Sequence, residues 1–95
     1  MKAKCEDIFT MHSDPGHGWL EVTYNDLQSV GLIPVDFSKF SYRKGRRFFL
    51  EEDCDAPKFA KAWELKHGRK IREVITDRFY NNDSAIRNYN PIHNC

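Results

Sequence analysis

The sequence lacks three features that would each assign it to a broad class of protein. It has no run approaching the roughly 20 apolar residues of a membrane-spanning helix, and residues 1–7 contain no apolar stretch of the kind found in signal peptides. It also lacks an excess of either charge, because 15 Lys and Arg residues nearly balance 14 Asp and Glu residues. We therefore expect an intracellular protein without a membrane partner, and the net charge of +1 argues against a general polyanion binder.

Cysteine is scarce and poorly spaced for a structural role. Cys5, Cys54 and Cys95 are odd in number, lie far apart and form no Cys-x-x-Cys pair. This pattern excludes a disulfide framework and a zinc ribbon, so we expect reduced thiols. The sequence indicates no resident metal and no cofactor.

Aromatic side chains, in contrast, are abundant. They make up 14% of the 95 residues, within a total of 40% apolar residues, and each aromatic side chain contributes a large area to a core. A chain of this length forms one domain and buries about 60–70% of the surface that its unfolded form exposes. We expect a single domain over residues 1–95, with a flexible start (1–7), an α+β core (8–76) and a C-terminal arm (77–95).

The first half of the chain predicts a β-hairpin followed by a short helix. Residues 8–12 favour a strand, and residues 19–24 alternate apolar and polar side chains after a glycine-rich turn. Thr23 and Asp26 have the spacing of a capping box, which marks the start of a helix, and Gly31 predicts its end.

The second half predicts another hairpin and then the long helix. The hairpin covers residues 40–51, with its turn at 43–46. Either Asp53 or Asp55 is expected as the N-cap of the helix, and Gly68 follows its last turn. One helix face carries the apolar side chains that we expect in the core, namely Phe59, Ala60 and Trp63.

The last part predicts one more strand and an irregular arm. Residues 70–76 favour the strand, whereas residues 77–95 are polar, rich in asparagine and without a period. The elements then follow the order ββαββαβ. This order predicts an α+β fold with a mostly antiparallel sheet of about five strands and the long helix on one face. We expect order in the arm only where one of its large side chains docks, these being Phe79, Tyr80, Ile86 and Tyr89.

The turn from Asp14 to Gly18, with the sequence Asp-Pro-Gly-His-Gly, has two readings. It resembles the first zinc-ligand motif of the N-acetylmuramoyl-L-alanine amidases, which implies a metal-dependent hydrolase with His17 as a ligand. His12 and Glu51 would complete that set, and the further candidates are His67, His93 and Glu52. The alternative is a structural turn in which proline fixes φ and the glycines adopt positive φ. We expect the structural, metal-free turn.

Residues 50–55 concentrate four carboxylates just before the long helix. Negative charge is favourable at a helix N-terminus, so we expect capping together with an acidic surface. A divalent-ion site is the alternative, although the run lacks the glycine and the distal glutamate of an EF-hand loop.

Residues 42–49 form a basic hairpin tip flanked by aromatic side chains. Such a tip could hold phosphates and stack bases. However, the acidic run that follows would repel a duplex, and opposite charges side by side are typical of a protein-docking surface. The arm adds residues that are common in adaptable contact surfaces. The expected partner-binding residues are Arg43, Lys44, Arg46, Arg47, Glu51, Glu52, Asp53, Arg78, Tyr80, Arg87 and Tyr89.

Several of these motifs together resemble a group of small proteins encoded by tailed phages and prophages. The resemblance rests on the runs at 13–19, 41–42, 50–55, 77–78 and 86–89. It implies an accessory protein of the bacterial host cytoplasm that binds a host or phage protein, from the class that supplies inhibitors of host defence and host enzymes. We expect binding rather than catalysis, with a homodimer as an open alternative for the oligomeric state. The metal-dependent hydrolase and a nucleic-acid binder using the basic hairpin remain the other two hypotheses.

Overall fold

The computed structural model describes residues 8–82 and 84–92, which form one sheet with helical segments on both of its faces. The predicted flexible start, Cys5, Cys95 and His93 lie outside the described residues. The strands are β1 (Phe9–Ser13), β2 (Gly18–Thr23), β3 (Tyr42–Lys44), β4 (Arg47–Glu51), β5 (Ile75–Phe79) and β6 (Asn90–Pro91). The α-helices are α1 (Tyr24–Ser29) and α2 (Ala56–His67), and short 3₁₀ segments cover Pro34–Asp36, Ile71–Val74 and Ala85–Asn88.

The sheet is mixed and has the strand order β5-β1-β2-β4-β3-β6. The α+β class is confirmed, but the expected five strands are six, because the C-terminal arm supplies β6. β5 pairs with β1 in parallel. The direction follows from the connection: α2 links β4 to β5, so β5 runs the same way as β4 and β1. No helix in the described part is long and apolar enough to cross a membrane.

The predicted first hairpin and the helix start are confirmed. β1 and β2 pair antiparallel, with Met11 opposite Leu20. The Thr23 hydroxyl accepts a hydrogen bond from the Asp26 N–H at 3.1 Å, and the Asp26 carboxylate accepts one from the Thr23 N–H at 2.8 Å. Both members of the capping box therefore bind each other as the sequence spacing predicts.

Helix α2 packs its predicted stripe against one face of the sheet. Phe59 and Trp63 are buried, and the Phe9 ring of β1 meets both edge-on at 5.4 and 6.1 Å. Asp55 stands at the N-cap position, but its side chain makes no capping hydrogen bond. The buried carboxylate instead accepts hydrogen bonds from Ser38 and Ser41, so it fixes the loop before β3.

The predicted strand 70–76 is wrong in its first half. Ile71 and Val74 lie in a 3₁₀ segment and both are buried. A spacing of three residues puts two side chains on one side of a 3₁₀ turn, whereas it would put them on opposite faces of a strand. The strand therefore begins at Ile75 and continues to Phe79, beyond the predicted end.

The C-terminal arm covers the second face of the sheet. Trp19, Phe49 and Ile86 form a buried cluster there, with Tyr42 and Tyr89 packed against it. Because this face of the sheet is rich in aromatic side chains, an irregular segment can bury enough apolar surface to dock without helical or strand periodicity. The expected docking of Ile86 is confirmed, whereas the Phe79 side chain is 77% exposed.

Candidate functional site

Asp14 joins the glycine-rich turn to the C-terminal arm. Its fully buried carboxylate accepts hydrogen bonds from the backbone N–H groups of Gly16, His17 and Ser84. It also accepts two from Arg87, at 2.6 Å from Nε and 2.8 Å from Nη2. The Arg87 guanidinium holds the pKa of Asp14 well below its ordinary value, and the three backbone donors act in the same direction against the opposing effect of burial.

The two glycines of the turn provide room for neighbouring side chains. A Cβ at Gly16 would lie 2.8 Å from Arg87 Nη2, and one at Gly18 would lie 2.8 Å from Glu52 Oε2. Neither glycine has the positive φ expected from the sequence; among the described residues, positive φ belongs to Gly31, Gly45 and Gly68. A side chain at either position would therefore displace the end of Arg87 or Glu52, and the prediction of positive φ in this turn is wrong.

Two cavities lie near the contact between Asp14 and the C-terminal arm. We call the first the acidic pocket, and its volume is about 280 Å³. Glu51 is buried on its wall, where Oε1 accepts hydrogen bonds from the N–H groups of Asp53 and Cys54 at 2.9 and 2.8 Å. Asp53 and Cys54 are exposed. The residues that line the pocket are His17, Trp19, Phe40, Tyr42, Glu51, Asp53, Cys54 and Arg87.

Cys54 has a thiol that is harder to ionise than an ordinary cysteine. Partial desolvation raises its pKa, and the carboxylates of Glu51, Asp55 and Asp53 raise it further because they repel a thiolate. The thiolate is the reactive form, so the raised pKa lowers the reactive fraction of this exposed thiol at neutral pH.

We expect the Cys54 thiol to react slowly with iodoacetamide. In a Cys5→Ser, Cys95→Ser background at pH 8, its alkylation should be several-fold slower in the folded protein than in urea, with the rise in rate displaced to higher pH. Asp53→Asn should speed the reaction by removing one nearby carboxylate, whereas Asp77→Asn, on β5, should not. Equal rates in the folded and unfolded chains, measured by mass spectrometry, would contradict the raised pKa.

The second cavity, which we call the relay pocket, has a volume of about 260 Å³. His12 lines it and binds two side chains: Nδ1 is 2.8 Å from the Tyr80 hydroxyl and Nε2 is 2.7 Å from Glu21 Oε1. Glu21 Oε2 accepts a further hydrogen bond from Arg47 Nη1 at 2.6 Å. The residues that line this pocket are His12, Glu21, Lys44, Arg47, Phe49, Tyr80, Ser84, Ala85, Ile86 and Tyr89.

Many of the partner-binding residues expected from sequence line these two pockets. Lys44, Arg47, Tyr80 and Tyr89 line the relay pocket, and Glu51, Asp53 and Arg87 line the acidic pocket. Glu52 is exposed and lies beside Gly18, and the Arg78 guanidinium lies 5.6 Å from the Tyr80 ring centroid. Arg43 and Arg46 instead line a separate depression with Tyr24 and Phe48. The basic hairpin is thus divided between the two faces of the sheet.

The metal set suggested by the amidase resemblance does not assemble. Both ring nitrogens of His12 bind protein side chains, and His17 lines the other pocket. Among residues 8–82 and 84–92, the one group of three or more His, Cys, Asp and Glu side chains with mutually close ligand atoms consists of Glu51, Glu52 and Asp53.

Three residues that form key contacts here were not among the partner-binding residues expected from the sequence: Asp14, Glu21 and Ser84. Asp14 precedes Pro-Gly, where aspartate commonly accepts hydrogen bonds from the following backbone, so its local role could have been found. Its partners Ser84 and Arg87 are 70 and 73 residues away, and no local pattern indicates them. Comparison of the chain with protein-family models, with curated proteins and with solved structures finds no match.

Proposed function

We propose that the protein is a small binding module of the phage accessory type, which docks on another protein of the host or the phage. Residues 84–89 cover one face of the sheet, which we call the segment-bearing face. The pair of cavities on this face is the observation that most supports the proposal. Lys44 and Arg47 line one cavity, and Glu51 and Asp53 line the other.

The arrangement of charge favours a protein over a nucleic acid as the partner. A phosphate backbone is uniformly negative and is best matched by a continuous basic stripe. Here Arg43 and Arg46 line a different depression from Lys44 and Arg47. The exposed carboxylate of Asp53 lines the acidic pocket, and that of Glu52 lies beside Gly18. Opposite charges in a fixed pattern select a partner with the complementary pattern.

Charge reversal on the two sides of the segment-bearing face tests the proposal. We expect tagged wild-type protein to retain one protein at a constant ratio from a bacterial lysate at physiological salt. Lys44→Glu and Asp53→Lys should each weaken its affinity about tenfold or more, which corresponds to roughly 1.4 kcal/mol. Lys61→Glu is the matched control, because Lys61 lies exposed on α2 and contributes to neither pocket.

The same variants distinguish the nucleic-acid alternative by the sign of the effect. Asp53→Lys adds positive charge, so it should strengthen binding to random-sequence duplex or single strand while it weakens a protein complex. Tight, steeply salt-dependent nucleic-acid binding that Asp53→Lys improves, with no protein retained, would overturn the proposal.

A further inference from the structure

The relay pocket contains a hydroxyl, an imidazole and a carboxylate in one hydrogen-bonded series. Tyr80 Oη lies 2.8 Å from His12 Nδ1, and His12 Nε2 lies 2.7 Å from Glu21 Oε1. Both distances fall in the range of roughly 2.6–3.2 Å that joins a nucleophile to its base and the base to the group that orients it. The arrangement therefore has the parts of a catalytic triad, with tyrosine in the place of serine.

The three side chains are held by strands and by packing. His12 and Glu21 come from the adjacent strands β1 and β2, and the Tyr80 N–H donates to the Ser13 carbonyl at 2.8 Å directly after β5. The His12 ring is roughly parallel to the Tyr80 ring, with the ring centroids 5.9 Å apart, and it meets the Phe49 ring edge-on at a centroid distance of 5.8 Å. These contacts fix the orientation of the His12 ring before any ligand binds.

The Glu21 carboxylate also determines which ring nitrogen of His12 carries the proton. An ionised Glu21 only accepts hydrogen bonds, so His12 Nε2 must carry the N–H that faces it. In the neutral ring, Nδ1 then has a lone pair directed at Tyr80, whose O–H donates to it. This assignment follows from the hydrogen-bond network, and it is the direction that removal of a proton from a nucleophile requires.

Two cations in the same cavity indicate the class of substrate. Lys44 and Arg47 line the relay pocket together with Tyr80. Arg47 uses Nη1 to bind Glu21, and its side chain is 61% exposed, which leaves the planar guanidinium accessible from the pocket. Arginine and lysine in a cavity that also contains a nucleophile match the oxygens of a phosphoryl group, and the Phe49 and Tyr89 rings offer an apolar wall to a leaving group.

From these contacts we infer that Tyr80 is a base-activated nucleophile for phosphate esters, a function beyond the proposed docking role. Tyr80 Oη forms a bond to phosphorus while the bond from phosphorus to the leaving oxygen breaks. The Tyr80 proton passes to His12 Nδ1, and Glu21 positions the imidazole and stabilises its positive charge. The protonated imidazole gives this proton to the leaving oxygen and is neutral again. Water then attacks phosphorus and breaks the phosphotyrosyl bond; its proton passes to His12 and from there to Tyr80 Oη, which restores the tyrosine and releases the phosphate product.

The test uses two chromogenic esters, 4-nitrophenyl phosphate and bis(4-nitrophenyl) phosphate, with the full chain. We expect release of 4-nitrophenolate above the buffer rate and, after rapid acid quench, a phosphoryl adduct that peptide mass spectrometry places on Tyr80. Release from the diester alone assigns a phosphodiester substrate, and release from both assigns a monoester as well. An adduct on another residue, or no release from either ester, overturns the inference.

Variants separate the roles of the three residues. Tyr80→Phe should abolish both adduct and release, and His12→Gln should lower release by about 10²–10⁴-fold, the usual contribution of a general base. Glu21→Gln should lower kcat, because Glu21 positions His12 and does not contact the ester, and any change in KM reports the weakened ion pair between Glu21 and Arg47. Tyr24→Phe, a tyrosine on α1 outside the relay pocket, is the matched control.

Folding and docking are distinguished by separate readouts. If Tyr80→Phe does not fold, the position of the adduct in the wild-type chain decides the question alone. Tyr80→Phe that folds, as judged by thermal unfolding, keeps the aromatic ring and every charge of the docking face, so its retention of the protein partner is measured separately from ester release. Undiminished release by folded Tyr80→Phe would refute the inference and leave the docking proposal intact.

Discussion

Asp14→Ala is expected to lower the free energy of unfolding by about 3 kcal/mol, the lower end of the usual cost of breaking a buried charged pair, because the Arg87 side chain that remains is 30% exposed. The carboxylate accepts hydrogen bonds from three backbone N–H groups and two from Arg87. Hydrogen bonds to a charged group contribute about 1.5–3 kcal/mol each. Gly16 and His17 are exposed, so water can replace part of the loss at their N–H groups, whereas Ser84 is buried and its N–H would lack an acceptor.

The measurement is urea unfolding of wild type and variant, with Asp77→Ala as the matched control. Asp77 binds Arg72 on the surface, and exposed ion pairs contribute about 0–1 kcal/mol. A similar small loss at both positions would contradict the anchoring role of Asp14. A large loss at Asp14 alone would show that the turn holds the C-terminal arm on the sheet.

The pH dependence of this effect follows from the lowered pKa of Asp14. A carboxyl group whose pKa is lower in the folded state stabilises the fold above its unfolded pKa of about 3.9. That stabilisation is lost as the pH falls below this value toward the folded pKa. The difference between wild type and Asp14→Ala should therefore be constant near neutrality and should narrow in acid.

The parts of the fold that sequence predicts are those whose signals lie within one element. The capping box of α1 involves residues three apart, and the buried stripe of α2 involves Phe59 and Trp63 one turn apart. Each signal reports a local hydrogen bond or a single helix face, and tertiary packing reinforces both. The two-residue strand β6 has no such signal, because it forms only where the arm meets β3.

The candidate site was less predictable because its contacts join distant parts of the chain. Tyr80 and His12 are 68 residues apart, and they meet because β5 lies beside β1. The sequence predicts this strand in residues 70–76 and does not indicate which strand lies beside it in the sheet. Without that pairing, His12 is one histidine in a strand, and neither its hydroxyl partner nor the relay pocket can be derived from the sequence.

Trp63→Ala, in the buried stripe of α2, is expected to lower the free energy of unfolding by about 3–5 kcal/mol. This loss is usual for truncation of a buried large aromatic side chain. Trp63 is 4% exposed, meets the Phe9 ring edge-on and lies 4.4 Å from the His67 ring. Removal of the indole would leave a cavity between α2 and the sheet, since the rigid strand β1 can close it only in part.

Leu65→Ala is the matched control for Trp63→Ala, because Leu65 is on the same helix but is 78% exposed. Its truncation should change stability by no more than about 0.5 kcal/mol. For a domain of this size, each kcal/mol lowers Tm by about 4–8 °C, so thermal unfolding separates the two variants clearly. If Trp63→Ala unfolds like the wild type and instead loses the protein partner, Trp63 belongs to an interface and the packing of α2 on the sheet is wrong. If Trp63→Ala alone is destabilised, α2 is the element that completes the core on its side of the sheet.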